Sequence, residues 1–491
     1  MFLSLVDFFE IPNLHKKPSL QLKYFILSFQ PLMNYYICRN KKSLNHLEFL
    51  LTTAYTFLFI FIIHRMNFFE ADGLSKRLVS FIFMLKVVFG LLLWAIYTFY
   101  YKDRSTADIY KYFDDSKILF DAIRTNPVHF FKMMASIGNN TPDFDIYYNQ
   151  MHYWARRIDS SIYNDSHTII RFNSLVRFFS LGYYNVHTVF ICFFSLIGLT
   201  AIYKTFVPFL KDKKRELLFV VFLLPSVLFW GSGVLKEGLI IFALGLLIYY
   251  TSRLFSVKST LICLAAGFLL AFSKFYVWLA ICPSLFFLVW INKTSAAKWY
   301  LKFLIIVVVL ATLGLNIDNF TSIQNPLVTL SQKQIEFNQL ANGGLSDAYC
   351  QPIPVAGSII LIPPLEPTLS SFICNAPHAL LNTLLRPFLW ELKSPMMLMA
   401  GAENVLMLVF ILICLLFSKS IKEIKWQYVL FCLSFVTVQF LIIGETTPVL
   451  GAIARYKVPA LPFLLISFLF ILDKQKLMKR VPVLSKWFPI E

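Results

Sequence analysis

Residues 78–101 read LVSFIFMLKVVFGLLLWAIYTFYY, and the chain continues at 106–116 with TADIYKYFDDS. The first stretch is apolar for longer than the roughly 20 residues a helix needs to cross about 30 Å of hydrocarbon. The second places Asp108, Asp114 and Asp115 among tyrosines just beyond its end. Together they predict a rigid membrane helix that holds carboxylates at a fixed height at the bilayer surface. Comparable apolar runs recur along the chain, so the reading of this stretch extends to the whole.

The composition agrees. The 491 residues are 58% hydrophobic, 17% aromatic and 15% charged, with a mean hydropathy of +0.65. Soluble domains lie near about 45–50% apolar and about 25% charged. Runs of about 20 apolar residues predict an all-α, polytopic transmembrane helix bundle; a β-barrel would show short alternating segments instead. The net charge of +18 does not imply a nucleic-acid partner, because the basic residues fall in short clusters between apolar runs, as the positive-inside rule expects. Met1 to Leu20 lacks a compact apolar run with a small-residue cleavage site, so no cleavable leader is expected. The eight cysteines contain no CxxC pair, and five of them (Cys192, Cys263, Cys282, Cys414 and Cys432) lie in apolar runs as small hydrophobes. Cys350 and Cys374 fall in one long polar loop and are candidates for a disulfide if that loop faces an oxidising compartment.

Taken in order, residues 1–46 are mixed, with 20–38 read either as an interfacial amphipathic helix or as a weak span. Transmembrane helices occupy 47–101. A soluble-looking acidic segment with interfacial helices fills 102–186. Further spans fill 187–316, a second long loop 317–395, and the last spans 396–472, before a basic tail at 473–491. The expectation is about 11 spans, or 12 if 20–38 crosses. Basic clusters at Lys211 to Arg215, Arg253 and Lys258, Lys293 and Lys298, Lys419 to Lys425, and Lys474 to Arg480 are separated by even numbers of spans. They define one side, expected to be cytoplasmic. Both long loops then lie on the opposite, extracytoplasmic face of a bacterial inner membrane.

Charged residues collect on that outer face. Asp108, Asp114 and Asp115 lie there, with Lys236 and Glu237 after Gly231-Ser232-Gly233, and Lys274 in a tight turn. Arg386 and Glu391 precede an inward span, and Arg455 and Lys457 precede the last one. Charge at membrane depth usually marks a function or a water-filled cavity. Each residue also has a plainer reading. Glu237 suits a helix N-terminus, whereas Lys236 does not. Arg386 and Glu391 form a structural pair, Arg455 and Lys457 snorkel, and Asp114 or Asp115 is a solvated loop acid. Asp143 and Asp145 make an Asp-Phe-Asp pair of a kind that holds divalent cations, with a solvated loop as the simpler account. The histidines show no metal-ligand spacing, so no metal ligand or organic cofactor is assigned.

Carboxylates and cations at an outer membrane face suit transfer of a sugar from a polyprenyl-phosphate carrier. The lipid phosphate calls for Arg or Lys, and the acceptor hydroxyl for a carboxylate base. The leaving phosphate needs charge stabilisation more than a proton. Trp154, Tyr110 and Tyr112 are candidates for stacking on sugar faces. The acidic outer loop, the helices after it and Arg455-Tyr456-Lys457-Val458-Pro459 resemble the GT-C class of integral-membrane glycosyltransferases. The segments Phe229-Trp230-Gly231-Ser232-Gly233 and RPFLWE at 386–391 resemble those of bacterial surface-polysaccharide membrane proteins. The resemblance implies a catalytic acid in the first outer loop, here Asp108, Asp114 or Asp115. It implies as partners a polyprenyl-phosphate sugar donor, a glycan or lipid-linked acceptor, and membrane lipids. An O-antigen-type polymerase or ligase would present the same outer-loop cations, and a lipid-linked glycan transporter would show broken helices near the bilayer midplane. The proline-rich loop 317–395 is long enough to be functional and is expected to form a lid, with Cys350 and Cys374 as its pin.

Overall fold

The computed structural model describes residues 41–101, 104, 106–154, 163–254, 256–294, 297–321, 324–343 and 355–482. The expectations for 20–38, for Cys350 and for the end of the basic tail lie outside the described residues. The described chain is all-α, with isolated bridges such as Ile359 to Val449 in place of any β-ladder.

The longer helices are α1 (Lys41–Arg65), α2 (Lys76–Ala95), α3 (Asp108–Thr125), α4 (Pro127–Ala135), α5 (Ser166–Ser180), α6 (Tyr184–Phe206), α7 (Lys214–Phe222), α8 (Pro225–Trp230), α9 (Lys236–Thr251) and α10 (Val257–Ser273). They continue with α11 (Phe275–Lys293), α12 (Trp299–Leu315), α13 (Pro326–Ala341), α14 (Leu369–Leu385), α15 (Pro395–Leu416), α16 (Trp426–Thr446), α17 (Leu450–Tyr456), α18 (Leu461–Ile471) and α19 (Lys474–Arg480). Local chemistry sets many of the boundaries. Ser75 accepts from the Leu78 amide to cap α2, Asn126 caps α4 ahead of Pro127, and Ser394 caps α15 ahead of Pro395. Beyond Ala95, α2 continues as a π-turn over Ile96–Tyr100.

Six of these segments are long and apolar enough to cross a membrane: His46–Arg65, Lys76–Tyr100, Tyr184–Phe209, Phe275–Lys293, Pro395–Leu416 and Trp426–Thr446. The pair α17 and α18, bent by 60° at its break, makes a seventh if it counts as one span. The chain is therefore a multi-pass membrane protein, with fewer full-length spans than the expected eleven. The difference has local causes. The run at 217–233 breaks at Leu223 and Leu224, where Pro225 starts α8. α9 has 16 residues and α10 has 17, or roughly 24–26 Å at about 1.5 Å per residue, short of about 30 Å of hydrocarbon. Both end at a polar recess described below. α12 also has 17 residues.

The bundle is built around α6, which is buried along nearly its whole length. α6 and α9 run parallel and meet at glycines: a Cβ on Gly198 would collide with the Ile241 carbonyl, and one on Gly245 with the Gly198 carbonyl. Small residues at a crossing let two helix backbones approach, the usual device for helix association in lipid. A second close approach places Gly444 of α16 against the Ala379 carbonyl of α14. So 369–385, read as part of the second loop, is a helix packed into the bundle.

The two ends of the bundle differ in chemistry. One end gathers Lys204, Lys213, Lys214, Arg253, Lys425 and Lys474. There Lys213 donates to the Leu469 and Leu472 carbonyls at the end of α18, at 2.7 and 2.5 Å, and Lys474 pairs with Glu216 at 2.9 Å. The other end carries acids and bases in nearly equal number.

Candidate functional site

The functional candidate is a charged recess at that second end, assembled from five separate parts of the chain. Asp108 opens α3, where the helix dipole favours an acid. Its Oδ2 accepts from Arg455 Nη1 at 2.7 Å, and its Oδ1 from the Tyr153 hydroxyl at 2.7 Å. Arg455, on α17, also has its Nε 3.1 Å from Glu237 Oε1 in the first turn of α9. Next to Glu237, Lys236 donates to Asp165 Oδ1 at 2.7 Å and to Ser166 Oγ at 3.2 Å. Lys274, between α10 and α11, reaches Asp165 Oδ2 at 3.2 Å. Asp108, Asp165 and Glu237 thus face Lys236, Lys274 and Arg455, and the six formal charges cancel.

Aromatic rings wall this cluster. Lys236 sits over the Tyr112 ring at 5.3 Å, and Lys274 over Tyr456 at 4.3 Å and Tyr276 at 5.5 Å. α13 of the second loop closes one side. Its Lys333 lies within electrostatic reach of Asp165, and its Phe337 ring is 6.4 Å from that of Tyr456. The recess is set below the head of α6. α9 meets α6 at Gly198, and at about 1.5 Å per residue this puts Lys236 roughly 10 Å further along the α6 axis than Tyr184 at its head.

The ionisation states follow from these partners. Burial alone would raise Asp108, but the Arg455 guanidinium, with the Tyr153 hydroxyl and the more distant Lys236, holds it below the ordinary carboxylate range. Asp165 is likewise pushed up by burial but pulled far below its usual value by Lys236, Lys274 and Lys333. Both are anions at neutral pH.

The three expected aspartates separate cleanly. Asp108, Tyr112 and Asp115 fall at i, i+4 and i+7 on the inner face of α3, and Asp114 falls outside it. Asp114 makes a surface pair with Arg104, with Nη2 to Oδ1 at 2.6 Å. Asp115 is fully buried and accepts from the His152 and Tyr153 amides at 2.7 and 2.8 Å. Burial pushes its carboxyl up to about 6, against the pull of those two amides. Asp115 thereby fixes the turn that aims Tyr153 at Asp108.

Other candidates lie away from the recess. Lys457 spends its ammonium on the Thr383 carbonyl at 3.1 Å, the Arg386 carbonyl at 3.2 Å and Asn404 Oδ1 at 2.8 Å. Three donors meet three acceptors, closing the C-terminal end of α14. Arg386, whose bond to Pro387 is cis, pairs with Glu391 at 3.5 Å, while Glu391 also accepts from the Phe388 amide at 2.9 Å. No contact joins that pair to the recess among the described residues.

The aromatic expectations need correction. Trp154 is buried between Tyr148 and His167, with ring centroids at 5.3 and 4.1 Å, so both of its faces are covered. Burial also pushes His167 down to about 4, so that ring is neutral. Tyr110 carries Arg104 on its ring and Tyr112 carries Lys236. None of the three offers a free face to a sugar. Asp143 and Asp145 are exposed, and among the described residues no three His, Cys, Asp or Glu side chains converge as a metal site.

Asp165 was missed from the sequence, although a signal existed. A lysine in the first turn of a helix is electrostatically misplaced, so Lys236 called for a nearby acid.

Part of the second loop packs beside the recess and is fastened by hydrogen bonds, while the expected Cys350 to Cys374 pin lies outside the described residues. Gln334 of α13 donates to the Pro363 and Glu445 carbonyls at 2.9 and 2.6 Å and accepts from the Leu365 amide at 2.9 Å. Ile360 donates to the Pro448 carbonyl at 2.8 Å, and Leu450 to that of Ser358 at 3.0 Å. Cys374 is exposed on α14. No protein-family model, curated protein or solved structure matches the chain.

Proposed function

We propose that the recess binds the phosphate of a polyprenyl-linked sugar and transfers that sugar to an acceptor hydroxyl, as a GT-C-like glycosyltransferase does, on the extracytoplasmic face of the membrane. The observation that carries this reading is the balanced cluster itself. Lys236, Lys274 and Arg455 are each held by a carboxylate, and phosphate oxygens can take the place of carboxylate oxygens at these cations.

Such an exchange also makes a base. While Arg455 holds Asp108, the carboxylate is too weakly basic to accept a proton efficiently. When the donor phosphate engages Arg455, Asp108 loses its strongest partner and returns toward an ordinary carboxylate value. The acceptor oxygen then attacks the anomeric carbon, its proton passes to Asp108, and the bond from that carbon to the phosphate oxygen breaks. The electron pair leaves with the polyprenyl phosphate, whose charge Lys236, Lys274 and Arg455 stabilise. A single displacement inverts the anomeric centre. Glu237 keeps Arg455 in place throughout, Asp115 acts by positioning Tyr153, and Lys457 by holding the end of α14. Arg386 and Glu391, paired in the connection between α14 and α15, act through the fold around the recess.

The test is sugar transfer by the full chain in nanodiscs, with a panel of polyprenyl-phosphate sugars. Asp108→Asn is expected to lose about 10²–10⁴-fold in turnover, while Asp114→Asn keeps wild-type turnover. An active wild type matched by Asp108→Asn would remove Asp108 from the chemistry. A requirement for a long lipid-linked acceptor would move the assignment to a polymerase or ligase.

One observation favours a second reading, movement of a lipid-linked glycan. Between α8 and α9 the backbone is unwound over Gly231–Leu235, and the fully buried Lys86 donates to the Gly231 carbonyl at 3.1 Å. Lys86 lies about 15 Å along α2 from Lys76, near the bilayer centre. Broken helices at that depth are typical of transporters. Bilayer passage of a fluorescent lipid-linked glycan without sugar transfer would favour it.

A further inference from the structure

At the basic end of the bundle, opposite the recess, a cavity of about 120 Å³ opens between the end of α6, the turn after α9, and helices α11 and α16. Lys204, Arg253, Asn292 and Tyr428 supply its principal polar groups, and no carboxylate lines it. The two cations lie close enough to repel one another, and the Glu70 carboxylate, which does not line the cavity, offsets part of that repulsion. Each retains donor capacity. Lys204 uses two of its three N–H bonds, on the Phe68 and Glu70 carbonyls at 2.9 and 3.1 Å. Arg253 bonds through Nη1 alone, to the Tyr249 carbonyl at 2.9 Å and to Ser252 Oγ at 3.3 Å. The Asn292 amide and the Tyr428 hydroxyl carry no hydrogen bond among the described residues, and they line the same space. Thr205 and Ser252 also line it, and the remaining wall is apolar, with Phe206, Leu288 and Phe431 leading between the helices.

From this we infer that the cavity is an anion site for a phosphate group, taken from the headgroup of an anionic lipid whose chains run along the apolar wall or from free phosphate. Basic pockets between membrane helices on the positive side suit such headgroups. The site is independent of the recess and of the reaction assigned to it.

The experiment uses the full chain purified in detergent. In one arm, phosphatidylglycerol or phosphatidylcholine is added and retained lipid is read by native mass spectrometry. In the other, thermal protection by millimolar inorganic phosphate is read without lipid. Wild type should retain phosphatidylglycerol at least about tenfold better than phosphatidylcholine, since two cations meet the extra charge. Arg253→Gln and Asn292→Asp, both at exposed positions, should abolish that preference, whereas Lys422→Gln, at the same end but off the cavity, should keep it. Phosphate protection that disappears in Arg253→Gln, without lipid retention, would identify the free anion as the occupant. Equal retention of both lipids without phosphate protection, or both variants behaving as wild type in both arms, would overturn the site.

Discussion

Replacing Asp165 by asparagine tests whether the recess is held together by charge. Its carboxylate bridges Lys236 and Lys274, at 2.7 and 3.2 Å, and the two lysine side chains are only 8% and 9% exposed. In Asp165→Asn those ammoniums keep their charge, face one another and Lys333, and lose their shared anion. Breaking a buried pair by removing one partner costs about 3–5 kcal/mol. Asp165 itself is 28% exposed, so water offsets part of the loss, and the expected cost is about 2–3 kcal/mol. In a chain of 491 residues that is a fall of about 2–3 °C in Tm, read by a thiol-independent thermal melt in detergent. The pH dependence gives an internal control. Asp165 titrates below its unfolded value, so its stabilisation is complete above about pH 4 and is lost as pH falls through the folded value. The gap between wild type and variant should be constant from neutrality down to about pH 5 and close in stronger acid. Adding Lys274→Met to Asp165→Asn should recover part of the loss by removing one of the repelling cations. An Asp165→Asn protein as stable as wild type at pH 7 would refute the charge-clamp account of the recess.

Three further outcomes follow from the geometry. Asp115→Ala should cost about 2–4 kcal/mol, because two buried amides lose their acceptor, while Asp114→Asn should stay within about 0.5 kcal/mol as a surface pair; denaturant titration in mixed micelles compares them. Lys457→Met should cost about 2–4 kcal/mol by orphaning acceptors at the end of α14, read as a lower Tm with phosphatidylglycerol retention unchanged. Gln334→Ala should leave global stability nearly intact but speed hydrogen exchange at Ile360 and Leu365, since the clamp holding that stretch is gone; unchanged exchange there would mean that the Ile359 to Val449 bridge alone suffices.

Much of this architecture was legible because hydropathy over about 20 residues is a strong signal. The six full-length spans stand where the apolar runs predicted helices. The failures came where apolar sequence continues into a polar recess. Residues 217–233 look like one span, yet Leu223 and Leu224 break the helix because Pro225 cannot supply its amide. Among the three aspartates, helical periodicity carried more information than proximity: counting from Asp108 puts Asp115 on its face and Asp114 off it. Arg455 and Lys457 were grouped because they are two residues apart, but about 100° per residue turns such neighbours to opposite sides of a helix. Arg455 reaches the recess and Lys457 the end of α14. Asp165 joined the site through contacts with residues 71 and more positions away, a distance across which local pattern is silent.

The π-turn at Ile96–Tyr100 acts as a vernier on one of the longest rulers in this bundle. It widens one turn of α2 by a residue, and within it Thr98 reaches toward α3, its Oγ1 lying 2.5 Å from the Tyr110 hydroxyl. Deleting one residue there would tighten the turn to regular α-helix and rotate everything beyond it by about 100°. The hydrophobic thickness of α2 would barely change, so the chain would still insert, but α3 would be delivered to the recess with another face forward. Residue count in this short interval, more than residue identity, sets which face of α2 meets Tyr110 on α3.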